Sequence, residues 1–148
     1  MKISNLLHSR KNNQPLYCYT NEEYKEYQDY IRQTFGTFTH VFQEIRSPDI
    51  RLDLLILPPT EEREYYTIIT MGAGAYRMSI PKDMRIYNLQ HGEYMLYLPK
   101  DWNIHSAKEE DYWPLGYLKH IARYPIHTNS WLSTGHTIHA NKEKKTFR

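Results

Sequence analysis

An α+β domain built on an antiparallel meander is the fold class this sequence predicts, and three observations predict it. Apolar residues recur with period two in short stretches between residues 38 and 99, with connections short enough for antiparallel neighbours. Two longer stretches, one on each side of that region, carry apolar residues at helical spacing. Prolines close several of the period-two stretches, because proline donates no ladder hydrogen bond.

Residues 1–20 are polar, and "HSRKNNQP" is expected to be loosely ordered. Thr20 or Asn21 then serves as N-cap, with Glu22 and Glu23 in the first turn, where the helix dipole favours acids. Tyr24, Tyr27, Ile31 and Phe35 place an aromatic stripe on a helix over 21–35, packed against the sheet, and Gly36 ends it. "TFTHVFQEI" predicts a first strand, "RSPD" a turn and "IRLDLLIL" a second strand. Leu52, Leu54 and Ile56 share one face of that strand, while Arg51 and Asp53 begin the other. Pro58 and Pro59 stop it, "TEER" turns the chain, and "YYTIITM" predicts a third strand of β-branched and aromatic residues. Pro81 opens a short helical turn, and "EYMLYLP" gives a fourth strand ending at Pro99. "DYWPLGYLKHIARYP" predicts a second helix, with Pro114 in its first turn, Pro125 at its end, and Leu115, Leu118, Ile121 and Ala122 on its apolar face. Trp113 and Trp131 are assigned to the core, and "HTIHA" starts a further strand. The domain is thus expected over 21–139, with a polar basic tail at 140–148.

Composition narrows the function classes. Charged residues make up 24% of 148 residues and the formal charge is +2, which gives no electrostatic footprint for nucleic acid. Cys18 is the sole cysteine, so no intrachain disulfide and no CxxC motif exists. No signal peptide is visible and no apolar run is long enough to span a bilayer, so a cytoplasmic location is expected.

The chemistry-bearing motifs weigh against catalysis. Gly72-Ala73-Gly74-Ala75 follows a strand, as phosphate loops do, yet it lacks the Gly-Lys-Ser/Thr ending, and the third glycine of a dinucleotide fingerprint is replaced by Arg77. The glycines are read instead as letting the chain leave its strand through positive φ, or letting another backbone approach closely. His136 and His139 would point to opposite faces of a strand, and no third ligand lies near them, so no metal is expected. Glu44 and Asp53 stand on adjacent strands and could face one another, as acid/base pairs do, but are expected to face solvent. Glu61, Glu62 and Glu64 form an exposed charged turn. No cofactor is implied and no catalytic residue is assigned.

Several motifs together resemble the Suppressor-of-fused domain, in particular its bacterial members. They are "HVFQEIRSPDI", the "ILPPTEEREYYT" turn and strand, "TMGAG", the "LPKDW" stop, the "YWPLGYLK" helix and "WLSTGHTI", in one order over roughly residues 38–138. The resemblance implies a Suppressor-of-fused-like sandwich, a curved sheet with flanking helices, used for stoichiometric protein binding. It also implies that Gly72 and Gly74 form a family structural turn. Bacterial members are often encoded beside polymorphic toxins, many of them nucleases, so the expected partner is a toxin domain neutralised by an immunity or antitoxin protein. The alternative is an intracellular adaptor or regulator that sequesters a non-toxin partner; an enzyme using Cys18 or the histidines is a third. Expected partner-binding residues are Glu61, Glu62, Glu64, Tyr65, Tyr66, Tyr76, Arg77 and Trp102, with no direct contact to nucleic acid or membrane. The ending "HANKEKKTFR" departs from the family pattern, which leaves either a domain truncated at its C-terminus or a shortened functional variant.

Overall fold

A computed structural model describes residues 16–138. Most of the expected loose N-terminal segment, together with His139 and the polar tail, lies outside those residues.

The helix α1 spans Asn21–Thr34 and opens with a reciprocal capping box. The Thr20 hydroxyl accepts from the Glu23 N–H at 3.1 Å, and the Glu23 carboxylate accepts from the Thr20 N–H at 2.8 Å. Its end is fixed by Gly36 at φ 112°, whose N–H reaches the Ile31 carbonyl.

Four strands follow: β1 (His40–Phe42), β2 (Asp53–Leu57), β3 (Tyr65–Met71) and β4 (Met95–Pro99). They form one antiparallel sheet in the order β1-β2-β3-β4, the expected meander. Register places Leu55 opposite Ile69 and Val41, and Ile68 opposite Leu96. The second helix, α2, runs Glu109–Thr128.

Each helix covers one face of the sheet. Ile31 of α1, with Tyr24, Tyr27 and Phe35, packs on Leu55, Leu57, Ile69 and Met71. Leu115 and Leu118 of α2 pack with Leu54, Ile56, Ile68 and Leu98 on the other. Every residue of β2 is therefore buried, where a one-sided sheet would alternate.

Several expectations need correction. The first strand was expected over 37–45 but pairs only at His40–Phe42, and Ile45 is 99% exposed. Glu44 leaves the ladder because its carboxylate is held by a cation on α2. The second strand begins at Asp53 rather than Ile50, which instead bridges Tyr17. The second helix starts earlier and ends later than expected, so Pro114 lies beyond its first turn and Pro125 lies inside it. Both prolines are buried, and ring packing offsets the main-chain bond that each removes. The stop is Asn129, in the left-handed conformation at φ 48°. Trp113 is 52% exposed rather than buried. At about 100° per residue it lies roughly opposite Leu115 and Ala122, which face the core. Pro81 opens a short helical turn as expected, over Lys82–Tyr87. Residues 136–138 form no strand.

Candidate functional site

The feature with most polar organisation is the glycine loop. Where β3 ends, Gly72 takes φ 122° and the chain passes into a single 3-10 turn, Ala73–Ala75. A Cβ on Gly72 would stand 1.8 Å from the Arg51 carbonyl oxygen, and one on Gly74 would stand 2.1 Å from the Tyr19 hydroxyl. Both reasons expected for glycine, positive φ and close approach, operate at Gly72. Gly72→Ala is accordingly expected to lower stability by about 2 kcal/mol, measured as a lower urea midpoint at unchanged m-value. A wild-type midpoint would show that the Arg51 main chain can move aside without loss.

The loop presents its N–H groups to an anion, as phosphate loops do, but the anion is the chain's own Glu93. The N–H groups of Gly72 and Gly74 donate to Oε1 at 2.7 and 3.1 Å, and that of Ala73 to Oε2 at 3.2 Å. Tyr19 Oη donates to Oε1 and Thr70 Oγ1 to Oε2, each at 2.6 Å. Thr70 Oγ1 also accepts the Tyr94 N–H at 2.8 Å, and His91 Nδ1 donates to the Gly74 carbonyl at 2.7 Å. Burial pushes the Glu93 carboxyl above its ordinary value, while its hydroxyl and N–H donors pull the other way. Burial, then the charge of Glu93, also raises Tyr19 and Tyr27, and raises Tyr94 to about 12, so these phenols stay protonated. The arrangement holds a carboxylate and joins three segments.

A second polar cluster takes up Glu44, which was expected to face solvent with Asp53. Arg123 of α2 donates through Nη1 and Nη2 to the Glu44 carboxylate at 3.0 and 2.5 Å, and through Nε to Asp49 at 2.9 Å. Lys119 stands 3.7 Å from Glu44, and His127 stands 3.3 Å from Asp49. Asp53 is only 2% exposed, with Arg51 at 3.7 Å, and burial raises its carboxyl against that charge. Glu44 and Asp53 therefore do not face solvent. The first is committed to cations that tie α2 to residues 44–50, because a carboxylate this enclosed must be paired.

The expected partner-binding residues divide by exposure. Glu61, Glu62, Glu64, Tyr65 and Arg77 are exposed; Tyr66, Tyr76 and Trp102 are partly buried. Tyr66 and Trp102 pack on the α2-side core, and Trp102 Nε1 donates to the Asp111 carbonyl at 2.9 Å. Tyr76 packs on the cluster of Ile50, Leu52, Ala73 and Ala122. The structure adds three exposed neighbours on the α1 side of the sheet. Tyr97 and Met95 follow from β4, Tyr97 meeting Tyr65 edge-on at 4.8 Å, and Tyr30 comes from α1. Strand alternation could have flagged Tyr97, since Met95, Tyr97 and Pro99 share a face.

Cys18 is exposed. His136 accepts the Ser133 N–H and meets the Trp131 ring edge-on, and His139, with which it was weighed as a metal ligand, lies outside the described residues. Among the described residues no group of three or more His, Cys, Asp or Glu could hold a metal ion, and no helix is long and apolar enough to cross a membrane.

The family model described as Suppressor of fused protein matches residues 48–147. No curated protein and no solved structure gives a significant match.

Proposed function

The chain belongs to the Suppressor of fused family, about two thirds of it matching that family's model, and from this premise we propose that it is a non-catalytic immunity or antitoxin protein. It neutralises a cognate toxin, a basic nuclease in the simplest case, by binding it stoichiometrically within the cytoplasm.

The observation that carries this reading is an exposed aromatic patch beside an acidic turn. Tyr30, Tyr65, Met95 and Tyr97 lie on the surface at the α1 side of the sheet, and Glu61, Glu62 and Glu64 occupy the turn that leads into Tyr65. Tyrosines supply large amphipathic contact area with little rotamer entropy to lose, which is why they dominate interface hot spots. The acids add steering toward a basic partner, although Glu64 is already paired with Lys100 at 2.7 Å. The remaining expected contacts, Arg77 at the surface and Tyr66, Tyr76 and Trp102 at its margin, would extend or support that face.

The test is recovery of a partner from the native host with the tagged, folded chain. One dominant toxin-like partner held at one to one is expected. The double change Tyr65→Ser with Tyr97→Ser should weaken that complex by about tenfold or more. Association should also slow as salt rises, and Glu61→Lys with Glu62→Lys should abolish that dependence. A folded monomer that captures nothing would count against the proposal. Capture of a single non-toxin regulator would favour sequestration of a different partner.

A further inference from the structure

We infer that the glycine loop is a carboxylate-binding site whose occupant in this chain is its own Glu93, so that the segment around Tyr19 is fixed to the sheet through a captured anion. Four features carry this. The N–H groups of Gly72, Ala73 and Gly74 follow the last ladder residue of β3, and all three converge on the two oxygens of one carboxylate. The hydroxyl of Thr70 accepts the Tyr94 N–H, which turns its proton toward Glu93. Gly72 and Gly74 are spared a Cβ that would collide with Arg51 and Tyr19, so the donors close tightly around the site. A groove of about 320 Å³, lined by Tyr19, Gly74, Gly92 and Glu93 among others, leads to the same place.

The class of ligand follows from the donors. Five of them meet two oxygens, which fits a planar carboxylate better than a tetrahedral phosphate. All five are neutral dipoles, which suits one negative charge and leaves a dianion under-compensated. Cutting Glu93 back to alanine would empty the cradle without moving its donors, and formate or acetate entering by the groove would refill it.

The experiment titrates full-length Glu93→Ala with sodium formate and acetate and follows thermal unfolding, with sodium chloride and sulfate at matched ionic strength as controls. The variant should melt below the wild type and recover saturably, by about 5 °C or more at around 0.1 M of either carboxylate. The wild type and Glu93→Gln, whose side chains fill the cradle, should respond to formate and acetate no more than to chloride. An equal response in wild type and Glu93→Ala would overturn the inference, and sulfate acting as well as formate would overturn the ligand class. Should Glu93→Ala fail to fold in chloride, its refolded yield in acetate reads the same question, and no gain in yield overturns it.

Discussion

Replacing Glu93 by alanine is expected to remove about 3–5 kcal/mol of folding stability, a large part of the roughly 5–15 kcal/mol available to a domain. Three main-chain N–H groups and the hydroxyls of Tyr19 and Thr70 would lose their acceptor at once. Each buried donor left without a partner costs about 1–3 kcal/mol, and partial relaxation toward water keeps the total below the simple sum. Tyr19→Phe removes a single donor and should cost only about 1 kcal/mol, so the pair of variants separates the anion from the ring that covers it. Urea denaturation at constant m-value measures both. The pH dependence has a definite sign. Burial raises the folded-state carboxyl above the ordinary value, so ionising Glu93 in the fold costs more in desolvation than its donors return to the anion, and its net contribution declines as pH rises through its folded value. The advantage of wild type over Glu93→Gln should therefore shrink as pH rises above about 4.5. An advantage that grows over that range would show instead that the hydrogen-bond donors outweigh burial.

Arg123→Met is expected to cost about 3 kcal/mol and to change how the protein responds to acid. The guanidinium is mostly enclosed and bonds both Glu44 and Asp49, while the methionine keeps the length of the stem and offers no donor. Lys119, Ser47 and the Ile50 N–H remain to both acids, which sets the loss at the lower end for a broken buried pair. Burial opposes ionisation of Asp49, but its bonds to Arg123, the Ile50 N–H and His127 prevail and hold its carboxyl below the ordinary 3.8. A depressed folded value contributes stability that is fully present above 3.8 and is lost as pH falls through that lower value. Denaturation midpoints of wild type should therefore fall steeply below about pH 4, and those of Arg123→Met should fall less. Parallel profiles for the two proteins would assign the acid sensitivity to other carboxylates.

Much of the fold was legible because it depends on local chemistry. Thr20 and Glu23 cap α1 through groups three residues apart, and Pro58 stops β2 at Leu57 by lacking a donor. "YYTIITM" is β3 residue for residue, since β-branched and aromatic side chains favour an extended chain wherever they pack. The glycines of the loop announced an unusual backbone, and Gly72 has one. What they enclose was not legible. Glu93 lies about twenty residues further on and is held mainly by N–H groups, which every residue but proline carries, so no side-chain pattern marks the match. The same limit applied to Glu44, whose partner Arg123 is 79 positions away and whose capture shortens β1.

The candidate binding face divides in the same way. Glu61, Glu62, Glu64 and Tyr65 were identified from a charged turn leading into a strand, and all are exposed. Trp102 and Tyr66 are aromatic residues at strand ends or loops, a pattern that marks a binding face, yet the packing of α2 draws them toward the core. Tyr97 meets Tyr65 only because β4 pairs with β3, and Tyr30 lines a groove with Met95 only because α1 covers part of the same sheet face. By itself the sequence determined the class of fold, most strand stops, the first helix and the need for glycine at residue 72, all properties of neighbouring residues. Tertiary structure alone decided which face of each element is buried, which carboxylate fills the glycine loop and which tyrosines share a surface. Those outcomes depend on pairings across the chain, whose energies arise only once the two helices have closed on the sheet and excluded water.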